Sequence, residues 1–140
     1  DCCENAIDII VTMSKHLKNT LRGINPSLFF DLQRYHPNTW DLWQNHKKTF
    51  IIETIKKNME QGIAEGLYRN DVNVEILAIL RVKEIELAFD IDVFPPQKFD
   101  LLSVQITFLE HFIRGIVTAK GYAVLEDLFA KSQHNIFQNP

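Results

Sequence analysis

An all-α fold of about six helices in a single domain is what this sequence predicts, and three observations carry it. Apolar residues recur at i, i+3, i+4 and i+7 along nearly the whole chain. Helix punctuation (Gly, Asn-Pro, His-Pro, Pro-Pro) falls between those periodic stretches, and no stretch alternates as a strand would. With 140 residues, 46% hydrophobic and 24% charged, the chain is sized for one hydrophobic core.

The first helix is expected from Asn5 to about Arg22, with Ile7, Ile10, Val11, Ser14 and Leu17 as its stripe and Gly23 as its stop. Asn25-Pro26 supplies an N-cap and a first-turn proline for a short helix over Ser27–Tyr35. His36-Pro37 breaks it, because the residue before proline avoids the α region. Asn38 or Thr39 caps the longest helix, about Trp40 to Glu65. One stripe holds Trp40, Trp43, Lys47, Phe50 and Ile51, the other Ile52, Ile55, Met59 and Ile63. Apolar on two faces, it is expected to be the central strut. Gly66 ends it, and Gly62 is read as close packing.

Asn70 to Asn73 form a turn that caps a helix from about Val74 to Phe89, and Pro95-Pro96 closes the next loop. A fifth helix is expected from about Lys98 to Lys120. Leu102, Ile106, Leu109, Ile113, Ile116 and Val117 point one way, and Leu101, Val104, Phe108, Phe112 and Gly115 nearly the opposite way. One face serves the chain's own core and the other calls for a further partner. Gly121 is expected to break this helix before a last one over Tyr122–Lys131. Residues 1–4 and the polar tail from Ser132 to Pro140 are expected to be frayed.

Function classes narrow from the same residues. Net charge is −3 and the basic pairs Lys47-Lys48 and Lys56-Lys57 are balanced by nearby acids, so nucleic acid is not expected to bind this chain directly. No apolar run approaches the roughly 20 residues of a membrane span, and no signal peptide is expected from the polar residues 1–4. Cys2 and Cys3, adjacent and the only cysteines, are expected to be plain thiols of a cytoplasmic protein. No Glu has a His three residues on, and His16, His36, His46, His111 and His134 form no i, i+4 pair, so no metal or cofactor is expected. Nucleophile elbows and phosphate loops are missing, and Glu84 and Glu86 face different directions. The chain is read as a non-enzyme.

Aromatic residues are the informative excess: ten Phe and two Trp. Phe29, Phe30, Tyr35, Trp40, Trp43 and Phe50 crowd two consecutive helices. They fill a core or line a cavity for an apolar or aromatic small molecule, with Tyr35, His16 or Asn58 as orienting polar groups.

Three runs resemble a known family. Residues 25–40 (NPSLFFDLQRYHPNTW) look like the short helix and Tyr-His-Pro-x-x-Trp turn of TetR/AcrR-type regulators. Residues 58–69 (NMEQGIAEGLYR) resemble their Gly-Ile-x-x-Gly-Leu-aromatic-Arg signature, and residues 111–121 (HFIRGIVTAKG) the end of their penultimate helix. The wording is most similar to that of Bacteroidetes-type bacteria. The resemblance implies the C-terminal ligand-binding and dimerisation domain of such a regulator. An N-terminal helix-turn-helix head would be missing ahead of Asp1, and DNA would be a partner only through it. It implies a homodimer joined through a four-helix bundle, carried onto Leu102, Ile106, Leu109, Ile113, Ile116, Leu125, Leu128 and Phe129. It also implies a pocket for a small-molecule effector, for which Met13, His16, Tyr35, Trp40, Trp43, Phe50, Phe108 and Phe112 are the expected lining. The first helix would carry the ligand's displacement to the head as a pendulum. The competing reading is a stand-alone helical interaction module whose aromatics are all core.

Overall fold

The computed structural model describes residues 4–21 and 23–131. The expectations for Cys2, Cys3, Arg22 and the tail from Ser132 lie outside the described residues, as does the side chain of Phe129.

Helix α1 (Ala6–Leu21) opens on a reciprocal cap. Asp8 N donates to Asn5 Oδ1 at 2.8 Å, and Asn5 N donates to Asp8 Oδ2 at 3.2 Å. Two of the orphan donors of a helix start are thereby satisfied by side chains. Asn25 Oδ1 accepts from Ser27 N, so Asn25-Pro26 form a turn, and α2 (Leu28–Tyr35) begins one residue later than expected. His36 takes φ −136° and ψ 62°, the break expected before Pro37.

Pro37 is itself the first residue of the next helix, which therefore starts before Trp40. It runs as α3 (Pro37–Leu42), a π-helical turn (Trp43–Lys47) and α4 (Lys48–Ala64) without interruption. Gly66 follows with φ +75°, the left-handed residue that ends a helix. Asn73 Oδ1 accepts from Ile76 N to start α5 (Val74–Ala88), and Asp100 Oδ2 accepts from Ser103 N to start α6 (Leu101–Ile116). Helix α7 (Ala119–Lys131) follows after Val117 and Thr118.

The break before α7 thus lies at Val117-Thr118, not at Gly121. Gly121 sits within the first turn of α7 because a Cβ there would fall on the Leu67 carbonyl. Gly62 has the same kind of reason: its Cβ would lie 2.6 Å from Tyr68 Cγ, inside the ring's space.

The central strut is α6, not the long helix expected in that role. Leu101, Val104, Gln105, Ile106, Leu109, Phe112, Ile113 and Ile116 of α6 are buried, against only Met59 and Gly62 in α4. The C-terminal half of α6 packs with Ala6, Ile7 and Val11 of α1, Met59, Leu67, Tyr68 and Leu125. Its N-terminal half packs with Leu21, Ala88, Phe89 and, at the edge, Phe29, Phe94, Phe99 and Phe108. Both directions of the helix thereby meet neighbours within the chain. Gln105 is buried between the two clusters and donates from Nε2 to the Ile85 carbonyl at 3.0 Å. A buried amide with a partner is tolerated; without one it would cost about 1–3 kcal/mol.

Candidate functional site

Three features of the surface and near-surface could carry function: a clamped helix start, a cleft at the other end of that helix, and an apolar stripe on α5.

The clamp gathers the first turn of α1 onto the last turns of α4. Ala6 N donates to Glu65 Oε1 at 2.9 Å, and Asn58 Nδ2 donates to the Ala6 carbonyl at 3.1 Å. Tyr68 OH donates to Asn58 Oδ1 at 2.9 Å, so both ends of the Asn58 amide are used. Gln61 Nε2 reaches the Glu4 carbonyl at 3.1 Å. Burial, then the charge of Glu65, pushes the Tyr68 phenol well above its ordinary pKa, so it remains a donor. The carboxylate of Glu65 also sits at the positive end of α1, where negative charge is favoured.

Behind the clamp, the segments after α4 and α6 join. Arg69 N donates to the Ile116 carbonyl at 2.8 Å and Thr118 N to the Leu67 carbonyl at 2.9 Å, as one antiparallel bridge between Tyr68 and Val117. Thr118 Oγ1 and Lys120 Nζ donate to the carbonyls of Gly66 and Glu65 at 2.7 and 3.1 Å, closing the C-terminal end of α4. Arg69 also donates to the Gly115 carbonyl and pairs with Asp71. Residues 58–69 and 111–121, read separately along the chain, therefore form one joint in space.

The cleft lies where the C-terminal end of α1 meets the loop before α6. Its volume is about 440 Å³, lined by Lys18, Leu21, Ile24 and Pro26 on one side and residues 96–102 on the other. That size is in the range of small-molecule sites. Below it a void of about 10 Å³ between Phe94, Phe99 and Val104 is too small for a ligand.

None of the eight residues expected to line a pocket borders this cleft. Met13, His16 and Tyr35 are exposed, and Phe50 is 71% exposed, pointing to solvent. Trp40 and Trp43 pack on Phe29, with ring centroids 5.5 and 5.1 Å away, and Phe29 stacks on Phe89 at 4.3 Å. Phe108 meets Phe94 edge-on at 5.6 Å, and Phe112 is buried in the core. The aromatic excess thus splits between a packed cluster and the surface.

Phe50 departs from the Trp43 face for a definable reason. Counted at 100° per residue the two share a side, but the π turn inserts one residue between their helical registers and swings α4 beyond it by about a quarter turn. The turn is anchored by Glu86, whose side chain is 14% exposed. Glu86 accepts from Trp43 Nε1 at 2.7 Å and pairs with Lys83 at 3.3 Å and Lys48 at 3.8 Å. The nearby Lys83, with burial, lowers the Lys48 pKa against the pull of Glu86.

The residues expected at a dimer interface are mostly buried in the chain's own core. Ile106, Leu109, Ile113, Ile116 and Leu125 belong to the cluster around α1, with Leu102 and Leu128 packed against it. These side chains pack within the chain against Ala6, Ile7 and Val11 of α1 and against Met59, Leu67 and Tyr68. Among the exposed apolar residues, four lie on α5: Ile76 (62% exposed), Ile79, Leu80 and Leu87. They follow the i, i+3, i+4, i+11 spacing of one helical face, interrupted only by Lys83. Periodicity does not single them out, because apolar residues fall on several sides of α5.

On the opposite face of α5, Arg81 is 7% exposed and its guanidinium lies 3.6 Å from Glu84 and 5.9 Å from the Phe112 ring centre. Burial raises the Glu84 pKa, against the opposing pull of Arg81 and His111. Glu84 is thus a largely buried ion-pair partner of Arg81.

Among the described residues no group of three or more His, Cys, Asp or Glu could hold a metal ion, and no helix is long and apolar enough to cross a membrane. No family model, no curated protein and no solved structure matches the chain.

Proposed function

We propose that this chain is the effector-sensing and dimerisation domain of a TetR-like transcriptional regulator. A small molecule bound here would alter DNA binding by a helix-turn-helix head joined ahead of α1. The supporting observation is the placement of α1. Its last turns border the cleft through Lys18 and Leu21, and its first turn is held by Glu65, Asn58 and Gln61. Sixteen residues make a rod of about 24 Å between the two. A ligand that wedges the cleft open displaces one end of the rod, and the clamp at the other end feels it. The ligand shifts the head only by its differential affinity for the two positions of α1.

The proposed dimer face is the α5 stripe of Ile76, Ile79, Leu80 and Leu87, in place of the buried α6 residues. That same stripe also favours the second reading, an interaction module that docks a different helical partner. Light scattering of the chain at micromolar concentration separates the two. A mass near twice 16.3 kDa that falls to 16.3 kDa in Ile79→Glu/Leu80→Glu supports the regulator. A monomer at every concentration favours the module.

Coupling is tested by hydrogen exchange at residues 6–10 with and without a cleft ligand. A change in protection there supports the lever, and unchanged exchange at saturation refutes it.

A further inference from the structure

We propose that the cleft at the end of α1 takes a monocarboxylate with an apolar body, its carboxylate held between Lys18 and Lys98. The inference rests on the sensing reading above and names the ligand class of its site.

Charge sets the head group. Two lysines and one aspartate line the cleft, in a chain whose net charge is −3. Asp100 does not neutralise the lysines directly. Its Oδ2 accepts from both Ser103 N and Ser103 Oγ at 3.0 Å, which engages it in capping α6. No described carboxylate oxygen lies within 4 Å of the Lys18 or Lys98 ammonium, while Lys48, Lys56 and Lys83 each have one. The Lys98 ammonium instead lies 5.4 Å from the Phe99 ring centre, a contact a bound anion can complement. Two lysines with no described carboxylate within 4 Å, both lining one cleft, make an anion the complementary guest.

Apolar groups set the rest of the ligand. Leu21, Ile24, Pro26, Pro96, Phe99, Leu101 and Leu102 line the same cleft as the two lysines. A phosphate or sulfate would leave that surface wet. A neutral hydrocarbon would leave both ammonium groups uncompensated. The volume of about 440 Å³ accommodates one small organic acid.

The experiment is calorimetric titration of the whole chain with decanoate and with decanol, each below its aggregation threshold. It is repeated on Lys18→Gln/Lys98→Gln after circular dichroism shows the variant folded. Amide shifts map the site. Decanoate is expected to bind at least about tenfold tighter than decanol, with shifts at Leu21, Phe99 and Leu101, and to lose about that factor in the double variant. Equal affinity for acid and alcohol, indifference to the two lysines, shifts confined to α5, or no decanoate binding each overturns the proposal. Binding as expected with unchanged exchange at residues 6–10 supports the carboxylate site and refutes the lever instead, so the two failures are told apart.

Discussion

Gly121→Ala is expected to destabilise the fold by about 2–3 kcal/mol, a sum of three effects. The added Cβ would fall on the Leu67 carbonyl oxygen and lie 2.9 Å from its carbon and 3.2 Å from Leu67 Cα. All three neighbours are backbone, so no rotamer change relieves the clash, and the turn at 66–69 must withdraw by more than an ångström. Overpacking of this kind costs about 1–3 kcal/mol. Withdrawal also stretches the bonds from Thr118 N and Oγ1 to Leu67 O, 2.9 and 3.2 Å long, each worth about 1 kcal/mol. Alanine's better helix propensity returns at most about 1 kcal/mol, and less in a first turn.

The assay is urea unfolding followed by far-ultraviolet ellipticity at one fixed protein concentration, which holds any self-association constant. The midpoint should fall by about 1 M or more. Gly115→Ala is the internal control. Nothing lies within 4 Å of its Cβ position, so the same substitution on α6 should leave stability unchanged or raise it by up to about 1 kcal/mol. A Gly121→Ala midpoint equal to or above that of the parent would refute the close approach of α7 to Leu67.

Three further outcomes are expected from the same geometry. Tyr68→Phe removes the donor to Asn58 Oδ1 and should cost about 1 kcal/mol in urea, with faster exchange at the start of α1. Glu86→Ala leaves Lys48 and Lys83 facing each other and frees the Trp43 indole. It should cost about 2 kcal/mol and shift the tryptophan emission, whereas unchanged emission would contradict the bond. Because burial raises the folded-state pKa of Glu84, the folded form holds that proton more tightly than the unfolded chain. The contribution is fully present below the ordinary value of 4.5 and is lost as pH rises through the raised value. Urea midpoints from pH 4 to 7 should therefore fall relative to Glu84→Gln, and parallel profiles would contradict the burial.

Local chemistry was legible in the sequence. Asn73 and Gly66 could be assigned their capping and stopping roles because each acts within a few residues of itself, whereas the reciprocal cap of Asn5 and Asp8 was not read. Gly62 was legible as close packing, although not that Tyr68 was its neighbour. The six-helix, all-α architecture emerged from those signals together with periodicity. Features that depend on partners distant along the chain were not legible. The π turn is anchored by Glu86, 43 residues beyond Trp43, and without it Phe50 counts onto the wrong face. The two apolar directions of α6 were visible, but which helices fill them is a property of the assembled fold. The cleft is made by two loops, around Pro26 and Pro96, that only packing brings together.

The π turn has a mechanical consequence of its own. A helix holding one surplus residue resembles a crystal holding a dislocation: the excess belongs to no single position and can glide when i+4 bonds are exchanged for i+5 bonds one at a time. Each step re-aims only the residue passed over and leaves the Pro37–Leu42 end and α4 in the same relative orientation. Here the defect is pinned at Trp43–Lys47 by one indole donating to one carboxylate. Removing one residue there, such as Asn45, would annihilate it, leaving an unbroken ladder whose aromatic end still faces Phe29. In that helix, losing a residue at the turn would disturb the flanking side chains less than losing one anywhere else.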